Sequence, residues 1–424
     1  MNKIKSYILI FAVCGILISV YGCGGTTTPV TPPTTITVSG KVLDTYGNPI
    51  TVTSTVVIGT QSKPTAGDGS FTINNVTTPY DVWVLNPATG VFGVKGLTIA
   101  NPYIPGAISP GNTQSLLVTI PLVPAGSKAT VIFQDTVTGK VSGFGQVLAN
   151  SQTTSLSIGG VAGQTVAGKL YLIEYNISGG VVSSYSGYAE QQAAFTIGSG
   201  QPFTFNTIGG GLGQATISGT VNSSGGTNLE AQLYLNFGSK NNIVHRGGFI
   251  QSIVMSGSSG SYSFVVPTGG TTSTTNLNVV AITPNPPNSW VGQRMLTVQA
   301  GTTGSVINID SPASILTPGN GATGVDTTTL FSYSGGSGNA IHFVRITPTG
   351  SNGKTYQVLT NGTSFNFPNL ATYGYNFASG QPFSYMVSNN LDITNVNDYC
   401  AQLFDLNPAI LGTVQSTTFN FTAR

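Results

Sequence analysis

Punctuation constrains this sequence more than any other feature. From Ile36 onward, short runs of β-branched and aromatic residues are separated by clusters of Gly, Pro, Asn and Asp. An apolar period of 3.6 residues is almost absent. With 56 glycines and 23 prolines, the chain is interrupted too often for long helices and predicts an all-β protein. Inside the runs the period is two: Val38, Gly40 and Val42 share a face, as do Phe71 with Ile73, and Tyr80 with Val82 and Val84. Such faces pack as the inner layers of a sandwich.

A single core stops growing well below the length of this chain, so it divides into tandem β-sandwich domains. The expected divisions are 1–22 a leader, 23–35 a tether, and sandwiches over 36–125, 126–213, 214–310 and 311–424. Strung in that order they would form a rod. An internal repeat supports the first and third. Thr37-Val38-Ser39-Gly40-Lys41-Val42 returns as Thr216-Ile217-Ser218-Gly219-Thr220-Val221, and Asp68-Gly69-Ser70-Phe71-Thr72-Ile73 as Ser259-Gly260-Ser261-Tyr262-Ser263-Phe264. Residues 126–213 hold the strand candidates ATVIFQD, KLYLIEY and PFTFNT and predict a sandwich of undefined type.

Gly40, Val42, Asp44, Gly47 and Pro49, then Asp68, Gly69 and Phe71, then Tyr80, Val82 and Val84 resemble the pattern of the carboxypeptidase regulatory-like family. The resemblance implies a transthyretin-like sandwich within the carbohydrate-binding-like fold group. The copy at 214–310 resembles it too, without the early Asp and with Ser259 in place of Asp68. The final region resembles an immunoglobulin or fibronectin type III domain. There Phe383 stands where the late strand of that family carries a Tyr, with Tyr385 and Val387 continuing the face.

The N-terminus is organised for export. Lys3 and Lys5 precede an apolar run from Tyr7 to Val20, and small residues lead to Gly22-Cys23. The run would rise only ~21 Å as a helix, short of the ~30 Å hydrocarbon core. Val20-Tyr21-Gly22-Cys23 resembles the bacterial lipobox, which implies cleavage before Cys23, lipid (diacylglycerol and palmitate-type acyl chains) on that cysteine, and a signal peptide over 1–22. Gly24 resembles an outer-membrane address, and Thr/Pro-rich residues 24–35 read as an extended tether. Loss of Lys3 and Lys5 takes the 14 basic residues to 12, equal to the 12 acids, so the mature net charge is zero and no basic footprint for nucleic acid survives.

Chemistry-bearing residues are sparse. The two histidines, His245 and His342, lie in different proposed domains, which disfavours a His-dependent triad. Cys400 is the one cysteine left beyond the leader and Cys23, too few thiols for a cysteine-rich zinc cage. Asp392, Asp398 and Asp405, with Asn395 and Asn397, are weak calcium candidates whose spacing fits no known loop and predicts a solvated loop or short helix. No catalytic residue and no cofactor are implied. Sugar binding needs exposed aromatic faces, and alternation turns Trp83 outward beside Asp81. Trp290 sits in a turn-rich segment, and Tyr185 and Tyr188, with Tyr171 and Tyr175, form an aromatic zone. The expectation is therefore a non-enzymatic lipid-anchored envelope or cell-surface protein, adhesive or structural. The alternatives are a glycan-binding lipoprotein using Trp83, Trp290, Tyr185 and Tyr188, and an accessory subunit with envelope protein partners.

Overall fold

The computed structural model describes residues 35–44, 49–50, 52–106, 112–137, 142–160, 163–224, 228–237, 247–269, 276–283, 292–334, 336, 341–350, 353–390, 393–401, 410–416 and 418–424. Cys23, residues 24–34 of the tether, His245, Trp290, Asp392 and Asp405 lie outside the described residues, while Thr35 opens the first strand. Residues Ile36–Arg424 form one compact unit, all-β in class.

The first sandwich consists of β1 (Thr35–Leu43), β2 (Thr55–Ile58), β3 (Gln61–Pro64), β4 (Ser70–Thr77), β5 (Tyr80–Asn86), β6 (Gly90–Leu97) and β7 (Tyr103–Pro105). Its sheets are ordered β4-β1-β7 and β3-β2-β5-β6, with β1 and β7 parallel. The second consists of β8 (Asn112–Thr119), β9 (Ser127–Asp135), β10 (Ser142–Val147), β11 (Thr153–Gly160), β12 (Thr165–Ser178), β13 (Val181–Thr196) and β14 (Phe203–Thr204), ordered β11-β8-β14 and β10-β9-β12-β13. The third consists of β15 (Gly213–Ser223), β16 (Asn228–Asn236), β17 (Gly248–Ser256), β18 (Ser259–Thr268), β19 (Asn276–Ile282), β20 (Gly292–Val298) and β21 (Ser305–Ile309), ordered β18-β15-β21 and β17-β16-β19-β20.

Numbered within each copy, all three read 4-1-7 over 3-2-5-6, with the first and last strands parallel. The repeat seen in sequence marks two of three copies of one fold. In those two, a glycine on the first strand lies under an aromatic ring. A Cβ on Gly40 would stand 2.6 Å from Phe71 Cζ, and one on Gly219 would stand 2.6 Å from Tyr262 Oη. The middle copy replaces this pair with Leu116 facing Leu156, both fully buried, so the repeat's signature is lost while the topology survives. Its first strand, β8, falls within the expected 36–125 division yet pairs with β11 and β14, so the second sandwich starts earlier in the chain.

The fourth sandwich is built differently, from β22 (Ser314–Thr317), β23 (Ala322–Val325), β24 (Phe331–Ser334), β25 (Ile341–Pro348), β26 (Thr355–Thr360), β27 (Ser364–Phe365), β28 (Pro382–Asn390), β29 (Ile410–Gln415) and β30 (Phe419–Ala423). A short helix, α1 (Val396–Ala401), lies between β28 and β29. β22, β24 and β27 form one sheet, while β23 crosses to pair in parallel with β30 of the other.

The sandwiches do not follow one another in chain order, because they join by their edges. β20 pairs with β29, and β26 pairs in parallel with β6, so a 14-stranded sheet runs from the third sandwich through the fourth into the first. Along this sheet the inner face of one sandwich becomes the outer face of the next. On β5, Tyr80, Val82 and Val84 face the first core, whereas Trp83 and Leu85 face the aromatic core of the fourth. Strands apolar on both faces read as near-continuous hydrophobic runs, as YDVWVLN and IHFVRITP do.

Candidate functional site

Trp83 is buried, with 3% exposure. It does turn away from the first core, as alternation requires, but the fourth sandwich covers that side. Its ring lies flat over its cross-strand partner Gly93, 5.5 Å from Phe367 and 5.7 Å from Lys95 Nζ. It offers no ring face to solvent.

The tyrosine zone is likewise an interior. Tyr171, Tyr175, Tyr185 and Tyr188 lie on the outer face of the second sandwich and are buried against the third. Tyr171 stacks on Phe237 at 4.3 Å, and Tyr185 Oη donates to Val265 O at 3.0 Å. Tyr188 Oη donates to Glu190 Oε2 at 2.7 Å. Burial pushes the Tyr185 and Tyr188 phenols well above their usual range. Both rings cement a junction and are closed to a sugar.

His342, Cys400 and Asp398 are also engaged in the structure. His342 is buried, edge-on to Tyr333 at 4.9 Å, with Nδ1 2.9 Å from Asn389 Oδ1, and burial lowers its pKa so that it is held neutral. Cys400 on α1 is fully buried, and burial pushes its thiol up to about 12. Asp398 accepts from Asn395 Nδ2, while its own N–H donates to Asn395 Oδ1 at 2.8 Å, a reciprocal cap that starts α1. No group of three or more His, Cys, Asp or Glu side chains arranged to hold a metal occurs among the described residues.

What the sequence reading missed is a groove of about 350 Å³ on the large sheet, where the fourth sandwich turns its outer face beside the third. Strand register builds its floor from two rungs. Leu359, Phe343, Ser388 and Gln415 lie side by side across β26, β25, β28 and β29. Ile341, Asn390, Thr413 and Gln293 form the neighbouring rung, which reaches β20 of the third sandwich. Arg345 and Met386 extend the floor along the strands, and Tyr399 of α1 forms a wall. Two polar atoms here are buried without a hydrogen-bond partner, Arg345 Nε and Asn390 Oδ1. Arg345 is the single charged residue of the lining. Its only signal in the sequence is a cation amid the apolar run IHFVRITP.

No protein-family model matches the chain, and no curated protein matches it. Among solved structures, similarity extends to a leucine-rich repeat protein from Bacteroides thetaiotaomicron VPI-5482, at 12% identity over 47% of this chain and 26% of that one, TM-score 0.15. This chain thus spans about a quarter of that protein. A tetra-tandem repeat in the extending region of a large adhesion protein aligns at 10% identity over 92% of this chain and 100% of that one, TM-score 0.15. A candidate cell adhesion protein from Bacteroides fragilis NCTC 9343 aligns at 13% identity over 51% and 87% of the two chains, TM-score 0.14. At that level of superposition the likeness assigns neither a family nor a function.

Proposed function

We propose that this chain is a non-enzymatic display module of the bacterial envelope or cell surface, held on the outer membrane by lipid on Cys23 and presenting a rigid β-body for adhesion or binding. The fused body carries the reading. The pairings β20–β29 and β26–β6 join the third, fourth and first sandwiches through one sheet, and a groove lined with polar groups lies on it. Enzymatic work would call on groups such as His342 and Cys400, whose side chains are spent on packing. The identical strand order of the first and third sandwiches, with the shared Gly–aromatic pair, supports taking them as carboxypeptidase regulatory-like modules. No helix among the described residues is long and apolar enough to cross a membrane.

Metabolic labelling with palmitate, combined with protease shaving of intact cells, tests this reading. The wild type is expected to incorporate label and to be cut from whole cells, whereas Cys23→Ser loses the label and leaves the membrane fraction. An unlabelled protein, or one resistant to shaving on intact cells and cut only after lysis, refutes the anchored surface display.

A further inference from the structure

We infer that the groove around Arg345 binds an acidic sugar, a pyranose carrying a carboxylate, alone or as the end unit of a short glycan. The inference deepens the display reading by naming what the displayed surface takes up, and it rests on that reading for its setting alone. Three observations carry it.

First, Arg345 is half-buried, its Nε is buried and unpartnered, and no carboxylate pairs with it among the described residues. A desolvated cation without a counter-charge gains strongly from an anion, and the planar fork of arginine fits a carboxylate in bidentate fashion. Second, the remaining polar lining is neutral: Ser388, Asn390, Thr413, Gln293 and Gln415. Side-chain hydroxyls and amides both donate and accept, which matches the hydroxyls of a sugar ring. Asn390 Oδ1 is an unmet acceptor among them. Third, Phe343 and Tyr399 supply the apolar surface against which the C–H face of a pyranose packs.

Dimensions agree with this class. Asn390 pairs with Ile341, four residues along β25 from Arg345, so the unmet acceptor and the cation are separated by ~13 Å along the strand. A single ring spans one of these two side chains and a disaccharide spans both. The volume of about 350 Å³ lies near the lower end of the range for small-ligand sites. One cation among five neutral polar side chains favours a mono-anionic, hydroxyl-rich ligand over a phosphate or a polyacidic peptide.

The test is calorimetric titration of the full chain, solubilised in detergent, with galacturonate, digalacturonate, glucuronate, galactose and a short peptide with a free C-terminus. The acidic sugars are expected to bind, digalacturonate tighter than galacturonate, galactose at least tenfold weaker, and all acidic binding weakened by salt. Arg345→Gln is expected to weaken acidic-sugar binding by about 10- to 100-fold. Arg345 has no ion pair to lose, so the far-UV circular dichroism of the variant should match wild type. Gln415→Ala provides a second variant, expected to weaken acidic and neutral sugars alike by several-fold. No binding of any acidic sugar, or binding unchanged in both variants, overturns the proposal. Tighter binding of the peptide than of digalacturonate overturns the sugar class. Acidic-sugar binding by a protein that shaving places inside the cell wall or periplasm would refute surface display and leave the groove's assignment standing.

Discussion

The junction between the first and fourth sandwiches makes a quantitative prediction through Trp83 and Gly93. The two residues face each other across β5 and β6, and the indole lies on the glycine. A Cβ added at Gly93 would come 2.9 Å from Trp83 Cη2 and closer still to Cζ3 and Cε3. The three nearest atoms all belong to the ring, and Gly93 is absent from the positive-φ glycines, so the ring is the first obstacle to a larger residue. Gly93→Ala should therefore cost about 1–3 kcal/mol by overpacking. Trp83→Ala should cost about 3–5 kcal/mol, from lost burial and the cavity left against Phe367. Independent effects would sum to about 4–8 kcal/mol in the double variant. Without the ring, however, the alanine methyl enters the vacated space, and the double variant should be no worse than Trp83→Ala alone. The cycle should then show a favourable coupling of about 1–3 kcal/mol. Urea unfolding followed by far-UV circular dichroism gives the midpoints, and coincident wild-type transitions by dichroism and fluorescence check that one cooperative step is read. In a Trp290→Phe background the emission of Trp83 should be blue-shifted and poorly quenched by acrylamide. Additivity within about 0.5 kcal/mol, or red-shifted and freely quenched emission, would refute the buried junction.

Three further outcomes follow from buried polar groups. His342 has a folded pKa below its unfolded value, so its contribution is complete above the unfolded pKa of about 6.5 and is lost as pH falls towards the folded pKa. His342→Gln should accordingly flatten the decline of the unfolding midpoint between about pH 7 and 5 by up to about 1.4 kcal/mol per pH unit, and an unchanged slope contradicts a buried neutral imidazole. Cys400, its thiol pushed up to about 12 by burial, should resist alkylation in the native protein and react only as the body opens, as mass spectrometry of its peptide would report. Labelling within seconds under native conditions would show that α1 does not cover it. Tyr185→Phe should cost about 1 kcal/mol by removing the bond to Val265 O, with faster hydrogen exchange where the second and third sandwiches meet.

The strands were legible because the sequence alternates wherever one face is buried, and the first and third sandwiches because Gly40 and Gly219 each need a partner ring. The middle copy was illegible for the same reason. Leu116 and Leu156 meet across the sheet with no glycine, so the topology persists without its marker. Trp83 was correctly placed on the outer face of its sandwich, yet period-two alternation cannot say whether that face meets water or another sheet. The groove was hidden for a further reason. Its two rungs gather residues from β20, β25, β26, β28 and β29, far apart in sequence, and only strand register makes them neighbours.

Edge pairing also covers several strand edges in so uncharged a chain. A free strand edge is usually blunted by lysine, proline or shortness, and with charged residues at 6% of the sequence lysines are scarce. β6, β20, β26 and β29 satisfy one another instead, each covering an edge that a separate sandwich would present. The two ends of the 14-stranded sheet are treated differently. At one end β3 is four residues long, fully exposed, and carries Lys63 and Pro64. At the other, β17 is tied to the second sandwich: Thr130 Oγ1 donates to Phe249 O at 3.2 Å, and the Val182 backbone N–H donates to the Gln251 side-chain Oε1 of β17 at 2.8 Å. The tyrosine zone that resembled a glycan platform in sequence is thus part of the device that closes a sheet edge. The groove lies on the same sheet, bordered by α1, whose Tyr399 lines it while Val396 and Cys400 pack with Ile341 and Leu359 of its floor.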